Sequence, residues 1–456
     1  MIKLRIAILL FGDAIAAYLA LFAALYIRYG AVFYDHALTA HIFHFSVIYV
    51  IWFFIFSLYG FYGTNHGFRP VDFLKNYILA IVTAFGAAVF YFYIQTSFDI
   101  ISPKTFLVID AGVFFMLAVL WRKLLFSWIW RRGLVKNAVI IGLNDNVINI
   151  IREIKNNEQP EYKILFAVNS GEKIEGGEFN FIKVIQLLDF HKLVNANDLV
   201  IDLAVIAADL ANDRRVLDEL FSILSFKKIE FVNIFSFYES LTGKIPLEPL
   251  SKVWFLENVH YSGFYNFGKR LFDLTAGIIV GIIFVVILPL IALVIKINSS
   301  GPVFYRQSRV GLRNQPFALF KFRTMICDAE RNGPMFAQAN DRRVTKTGSI
   351  LRKLRLDELP QFVNIIKGEM SLVGPRPERQ TWIEAFEMEI PFHKERSLVK
   401  PGLTGWAQVN WQYSSSIETM KTRLQYDLYY IKNRSFLLDL AIIFKTIRIV
   451  LAGRGR

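Results

Sequence analysis

Asp357 and Glu358 stand side by side in Leu356-Asp357-Glu358-Leu359-Pro360-Gln361, inside a stretch (350–366) that is otherwise basic and apolar. Arg352, Lys353 and Arg355 lie just upstream; Lys367 and then Gly374-Pro375-Arg376-Pro377 lie downstream. A carboxylate that attacks phosphorus needs the negative charge of its target neutralised, by Arg or Lys and usually by Mg²⁺. The composition therefore describes a site for an anionic, polyphosphate-bearing substrate. Acidic pairs also sit on solvated helix faces, so the surrounding sequence has to discriminate.

It does so through long motifs in series. Lys269-Arg270-Leu271-Phe272-Asp273 opens an apolar run, followed by Gly301-Pro302-Val303-Phe304-Tyr305-Arg306-Gln307, Arg309-Val310-Gly311 and Phe320-Lys321-Phe322-Arg323-Thr324-Met325. After the acidic pair come Lys367-Gly368-Glu369-Met370-Ser371-Leu372-Val373-Gly374-Pro375-Arg376-Pro377-Glu378 and Lys400-Pro401-Gly402-Leu403-Thr404-Gly405-Trp406-Ala407-Gln408-Val409-Asn410. In order and spacing this series closely resembles the bacterial monotopic phosphoglycosyl transferases, or sugar transferases. The likeness is detailed from Lys269 onward; the preceding part looks like the large form of the family in architecture only.

The resemblance implies transfer of a sugar 1-phosphate from a UDP-sugar to undecaprenyl phosphate, the first membrane step of exopolysaccharide, capsule or O-antigen synthesis. It implies two catalytic residues, Asp357 as nucleophile forming an aspartyl phospho-sugar with release of UMP, and Glu358. Both would hold Mg²⁺, Glu358 foremost. Lys321, Arg323, Arg352 and Arg376, with Pro377, match family positions for gripping the substrate, and Arg does so bidentately where Lys is a point charge. Lys269 and Arg270 are placed to reach lipid phosphate or the polyprenyl phosphate, and simple interfacial anchoring explains them equally. Trp406 covers a base or sugar, or fills a core; Asp427 aids the site, or is a helix-surface charge. The sugar stays open among glucose, galactose and N-acetylated hexoses, and a homodimer is compatible with the large form. The rival readings are a non-catalytic membrane scaffold of polysaccharide assembly and a nucleotide-sugar modifying enzyme.

These residues are carried by a chain of 456 residues, enough for two or three domains, of which 54% are hydrophobic and 43 are Phe. Four apolar stretches, 6–27, 41–62, 73–94 and 106–125, each meet the requirement of about 20 residues for a bilayer span. The first is too long for a signal peptide and lacks a small-residue cleavage site. Basic residues place the N-terminus and everything after Arg132 in the cytoplasm: Lys3, Arg5, Arg69, Lys75, Arg122, Lys123, Arg131, Arg132 and Lys136 on one side, only Arg28 and Lys104 on the other. The expected location is the bacterial inner membrane, with the active site on its cytoplasmic face. One cysteine, Cys327, cannot form an internal disulfide. The net charge of +14 fits anionic membrane lipids and phosphorylated substrates; with no recognition module present, nucleic acid is not expected. Asp13 and Asp110 fall within apolar helices, where they mark function or pair with a neighbour.

After Arg132 short apolar runs (138–141, 147–154, 164–168, 199–206 and 229–234) alternate with polar segments, which predicts a small parallel α/β sheet. The first run ends in Gly142-Leu143-Asn144-Asp145-Asn146. A dinucleotide site wants Gly-x-Gly-x-x-Gly there, and Asn144 and Val147 replace two of the glycines. A structural or regulatory Rossmann-like domain is expected, not a nicotinamide site. The seven His are scattered, and neither a transition-metal cluster nor a Gly-x-x-x-x-Gly-Lys-Ser/Thr loop is present.

The run 274–295 is about 22 residues, ~33 Å as a straight helix, and long enough to cross. Crossing would carry Lys321, Arg323, Arg352 and the acidic pair outside. Pro289 predicts instead a bend near Leu288-Pro289 and a return to the same face, although relatives have Ser where Leu288 stands. The C-terminal run 436–451, with Asp439, Lys445 and Arg448, reads as an interfacial or packed helix. The expected architecture is multidomain: a four-helix transmembrane bundle (1–133), a Rossmann-like α/β domain (134–250), and a mainly α-helical catalytic domain (251–456) with a re-entrant membrane helix at about 269–297.

Overall fold

The computed structural model describes residues 2–30, 37–59, 61–62, 70–94, 103–131, 136–156, 162–169, 182–186, 189–190, 192–193, 200–207, 229–248, 250–259, 262–327, 329, 341–411 and 416–451. The chain divides into two compact units, Met1–Ile234 and Phe235–Arg456.

The first unit opens with helices α1 (Ile2–Tyr29), α2 (Ala37–Leu58), α3 (Pro70–Ile94) and α4 (Pro103–Arg131). Pro70 and Pro103 occupy the first helical position, where a missing N–H costs nothing. Small residues Ala17, Ala20, Ala24 and Ala118 are fully buried, and Phe45, Trp52, Phe56, Phe114 and Phe115 fill the centre. Within α1 and α4, Ala7–Tyr29 and Thr105–Leu125 are long and apolar enough to cross a membrane; α2 and α3 hold shorter apolar stretches, His41–Ser57 and Tyr77–Tyr93. The two carboxylates within these apolar helices are paired. Arg122 grips Asp13 with both terminal nitrogens at 2.6 Å and Tyr62 donates to it, while Asp110 accepts from Tyr49 at 2.6 Å.

Then come β1 (Lys136–Ile141), α5 (Asp145–Asn156), β2 (Tyr162–Asn169), β3 (Val184–Gln186), β4 (Leu203–Ile206) and β5 (Glu230–Asn233). The strands form one sheet in the order β3-β2-β1-β4-β5, with every neighbouring pair parallel; Val139 faces Phe166 on one side and Ala204 on the other. This is the doubly wound order expected of a Rossmann-like domain. The run 147–154 is helix, not strand: Val147, Ile151 and Ile154 recur at helical spacing and bury one face. Asn144 does at its start what a glycine would leave open. Its Oδ1 accepts from Val147 N at 2.8 Å and so occupies an amide that a bound pyrophosphate would use.

The second unit holds α6 (Ile234–Thr242), which begins at the unit boundary, α7 (Lys252–Asn258), α8 (Gly263–Asn298), β6 (Phe304–Val310), β7 (Pro316–Phe322), α9 (Lys346–Lys353) and the 3₁₀ turn Leu356–Gln361. It continues with α10 (Phe362–Lys367), β8 (Ser371–Val373), α11 (Gln380–Glu387), β9 (Gly402–Thr404), α12 (Trp406–Asn410), α13 (Ile417–Lys432) and α14 (Phe436–Leu451). The segment 235–250, placed above with the α/β domain, packs here. Glu239 accepts from Lys432 and Asn433, Gly243 O from Trp406, and Ile245 N donates to Gln425 O.

Helix α8 runs unbroken through Pro289 over 36 residues, capped by the Ser262 hydroxyl accepting from Tyr265 N. Elements of the second unit accompany it along its length. Lys269 pairs with Asp439, Arg270 donates to Ile365 O and Ile366 O, and Asp273 accepts from Ser371 Oγ and Leu372 N. Further on, Phe284 stacks on Phe322 and meets Phe362, and Ile291 and Ile295 join the same core. Arg323 closes the far end, donating to Ser299 O and Ser300 O. The opposite face is apolar and exposed: Ile279, Ile282, Val286, Leu290 and Ile297 among others.

Candidate active site

The site begins with a backbone irregularity. Helix α9 ends at Leu354, and Arg355 adopts the left-handed region (φ 54°) before the 3₁₀ turn carries Asp357 and Glu358 inward. Both carboxylates are buried, at 8% and 6% exposure. Asn364 fixes this turn and the helix after it to β7: its Oδ1 accepts from Phe320 N, and its Nδ2 donates to Ala318 O and Glu369 Oε2, each at 2.7 Å. Gly368, at φ 85°, ends α10.

The two carboxylates have different surroundings. Glu358 Oε1 accepts from Arg376 at 3.1 Å and Lys321 at 3.4 Å, and its Oε2 from Arg355 at 3.3 Å. Burial works to raise its pKa, but these cations outweigh burial and hold it well below the usual carboxylate range. No described residue donates a hydrogen bond to the Asp357 carboxylate. Burial, and then the charge of Glu358, push Asp357 upward against Lys321, Arg352 and Arg376. Burial depresses Lys321 and Arg352, each drawn back up by the acidic pair. Arg352 is aimed by its Nε bond to Thr324 Oγ1 at 2.9 Å.

Arg376 is held from behind. Its carbonyl accepts from Arg396 at 3.0 Å and from Arg423 at 3.4 Å. Arg396 pairs with buried Asp427 at 2.8 Å, and Arg423 with buried Glu378. Glu378 also lies 3.7 Å from Arg309, and burial, which would raise it, yields to Arg423, Arg396, Arg309 and Arg376, so that it is lowered to about 2. Beneath this network Gly374 and Gly402 meet backbone to backbone. A Cβ on Gly374 would lie 2.4 Å from Lys400 O, and one on Gly402 2.1 Å from Gly374 N.

Such an arrangement presents one unbonded carboxylate, a second that gathers cations, and an arginine mounted on a rigid frame. A profile of the bacterial sugar transferase family matches residues 264–453, which contain every one of these groups. Over 217 residues, 48% of this chain and 51% of the relative, the chain is 45% identical to a UDP-N-acetylgalactosamine-undecaprenyl-phosphate N-acetylgalactosaminephosphotransferase of Aeromonas hydrophila. It is 37% identical over 238 residues, 51% of this chain and 49% of the relative, to a UDP-glucose:undecaprenyl-phosphate glucose-1-phosphate transferase of Escherichia coli (strain K12). An uncharacterised sugar transferase of Bacillus subtilis (strain 168), EpsL, is 42% identical over 187 residues, 41% of this chain but 89% of its own length. The chain belongs to the bacterial sugar transferase family. The match spans about half the length of the Aeromonas and Escherichia relatives.

Among the sugar transferase residues singled out by sequence, Asp357, Glu358, Lys321, Arg352 and Arg376 converge on one site, and Pro377 lines a cleft beside it. Others are engaged elsewhere. Arg323 caps the end of α8 and touches Cys327 Sγ. Lys269 is committed to Asp439, which also accepts from Tyr265 and Tyr430, and Arg270 to the carbonyls ending α10. Trp406 is a core residue, stacked on Tyr429 and bonded to Gly243 O. Asp427 is buried, not a surface charge, and supports Arg376 through Arg396. Sequence reasoning noted Arg355 only as a neighbouring cation and assigned no role to Asn364, Glu378, Arg396 or Arg423. Glu378 alone carried a signal, as the residue closing the Gly-Pro-Arg-Pro-Glu run.

Proposed function

We propose that the protein transfers a hexose 1-phosphate from a UDP-sugar to undecaprenyl phosphate at the cytoplasmic face of the bacterial inner membrane. The carrying observation is the asymmetry of the acidic pair: Asp357 has no hydrogen bond to its carboxylate among the described residues, while Glu358 is pinned by three cations. In the first step an Asp357 oxygen attacks the β-phosphorus, the bond from that phosphorus to the bridging oxygen breaks, and UMP leaves with the bridging oxygen. In the second an oxygen of polyprenyl phosphate attacks the same phosphorus, and the carboxylate of Asp357 is released. Lys321, Arg352 and Arg376 offset the charge of two anionic substrates.

Mg²⁺ belongs to this reading. Among the described residues no group of three or more His, Cys, Asp or Glu could hold a metal. The pair nevertheless fits an ion that takes one or two carboxylates and completes its shell with water and phosphate oxygens. Asp357 has open oxygens, and Glu358 would share its own with the surrounding cations. When bound, the ion supplies charge neutralisation at the diphosphate.

The lie of α8 supports a helix that enters and leaves by the same face. By length and composition α8 is also able to cross a membrane; its contacts with the second unit at Asp273, Gly277, Gly281, Phe284, Ile291 and Ile295 run along most of its length and support the same-face reading.

Stalled turnover tests the mechanism. Given UDP-sugar and Mg²⁺ without polyprenyl phosphate, the protein should release UMP once per active site and carry one sugar phosphate by intact mass. Asp357→Asn should abolish the adduct. UMP release only with both substrates present, and no adduct under any condition, would assign the attack to polyprenyl phosphate directly.

A further inference from the structure

The three cations that act on Glu358 among the described residues are not held alike. Arg376 and Lys321 share its Oε1, while Oε2 has Arg355 alone, at 3.3 Å, long for a charge-assisted bond. Arg376 is fixed through its carbonyl by Arg396 and Arg423, and Lys321 stands in β7. The Arg355 guanidinium has no second anchor among the described residues. Its Nε is buried without a hydrogen-bond partner, yet the side chain as a whole is 28% exposed. An unpaired buried donor is costly, and a ligand oxygen can remove that cost. Because the Nε edge is covered, meeting such an oxygen with it requires the guanidinium to turn away from Glu358. The backbone beneath is already irregular: φ is 54° at Arg355, which bends the chain into the 3₁₀ turn and brings the side chain round to a carboxylate three residues on.

Charge indicates what it turns to. Lys321, Arg352, Arg355 and Arg376 carry four formal positive charges against two negative ones on Asp357 and Glu358. An excess of two in a largely buried cluster repels itself until an anion of similar charge enters. We infer that Arg355 is an exchangeable phosphate grip: its guanidinium leaves Glu358 Oε2 for a substrate phosphate, which it takes with two parallel N–H bonds, and the carboxylate oxygen it releases becomes open to a divalent cation. The donor diphosphate and the acceptor phosphate offer the same chemistry to it. The inference rests on the reading that the protein takes phosphorylated substrates of these two kinds.

The full-length protein in detergent tests it. Affinity for Mn²⁺ without substrate, and for UDP and undecaprenyl phosphate at saturating Mg²⁺, is measured on the wild type, Arg355→Ala and Arg355→Lys, with thermal melts confirming the fold. Arg355→Ala should bind Mn²⁺ several-fold more tightly, since Glu358 loses a competitor, and a phosphate ligand about tenfold more weakly. Arg355→Lys should recover part of the phosphate affinity, as a point charge without the two-bond fork. The opposite signs separate exchange from structural support, whose loss weakens metal and phosphate together. Weaker UDP with unchanged undecaprenyl phosphate assigns the grip to the donor, the reverse to the acceptor, and weakening of both to each in turn. If Arg355→Ala misfolds, Arg355→Gly, which suits the left-handed backbone, takes its place. Unchanged affinity for both phosphate ligands, or Mn²⁺ bound no more tightly than by the wild type, overturns the exchange and leaves the transferase reading standing. A wild type that binds neither UDP nor undecaprenyl phosphate overturns the transferase reading and this inference with it.

Discussion

Glu378 shows how a single buried carboxylate supports an arginine of the candidate site that it does not touch through its side chain. Its guanidinium partners lower it from an ordinary 4.5 to about 2. A depressed folded-state pKa adds stability above the unfolded value that is lost as pH falls through the folded one. The chain should therefore lose on the order of 3 kcal/mol between about pH 4.5 and pH 2 from this group. Thermal melts of Glu378→Gln should show a flatter acid limb and lower stability at pH 7. Arg423→Ala, which strips a partner from Glu378 and a donor from Arg376 O, should cost about 3 kcal/mol and depress transfer, with partial rescue by Arg423→Lys. Arg352 and Arg376 were legible because they sit in contiguous motifs. The Glu378–Arg423 pair was not, because 45 residues separate its members and one sequence carries no record of pairing. Arg323 is a motif cation whose guanidinium is engaged at the end of α8, on Ser299 O and Ser300 O.

The 3₁₀ turn is the element on which the site depends, and Arg355 at its entrance holds two roles that substitution can separate. Its left-handed backbone is strained for any residue with a Cβ, and its guanidinium bonds Glu358. Arg355→Gly and Arg355→Ala remove the same charge, but only glycine relieves the strain. The glycine variant should melt higher, by about 1 kcal/mol of stability, with both equally impaired in activity. Helices α1 to α4 and the parallel sheet were readable from apolar length and periodicity. The 147–154 helix was grouped with the strands because its apolar content is high, while its 3–4 spacing carried the answer. Pro289 was expected to bend α8; the helix continues through it, and residues on either side of it pack with Phe322 and Leu351.

For the whole molecule, the decisive expectation is that both ends of α8 face one compartment. Glu257 and Lys353 are exposed and flank the helix in sequence. Single cysteines at each, in a Cys327→Ser background, should resist a membrane-impermeant thiol reagent in intact cells and react after permeabilisation. Labelling of Lys353→Cys from outside would make α8 a spanning helix and remove the site from the cytoplasm. Composition drew a division near 250, whereas segment 235–250 joins the second unit through Glu239, Gly243 and Ile245, contacts that only the folded chain reveals.

If the protein transfers to a polyprenyl phosphate as proposed, the bare apolar flank of α8 also sets the geometry of the search for the acceptor. On the proposed function, a catalyst seated in one leaflet would meet a long-chain lipid by lateral drift in a plane, so the relevant concentration would be molecules per unit of membrane area. Adding inert phospholipid at fixed protein and fixed polyprenyl phosphate should then slow transfer in proportion to surface dilution, while dependence on the water-borne nucleotide sugar stays unchanged. If instead the rate followed bulk acceptor concentration regardless of added lipid, the flank would belong to a protein–protein contact and not to a bilayer.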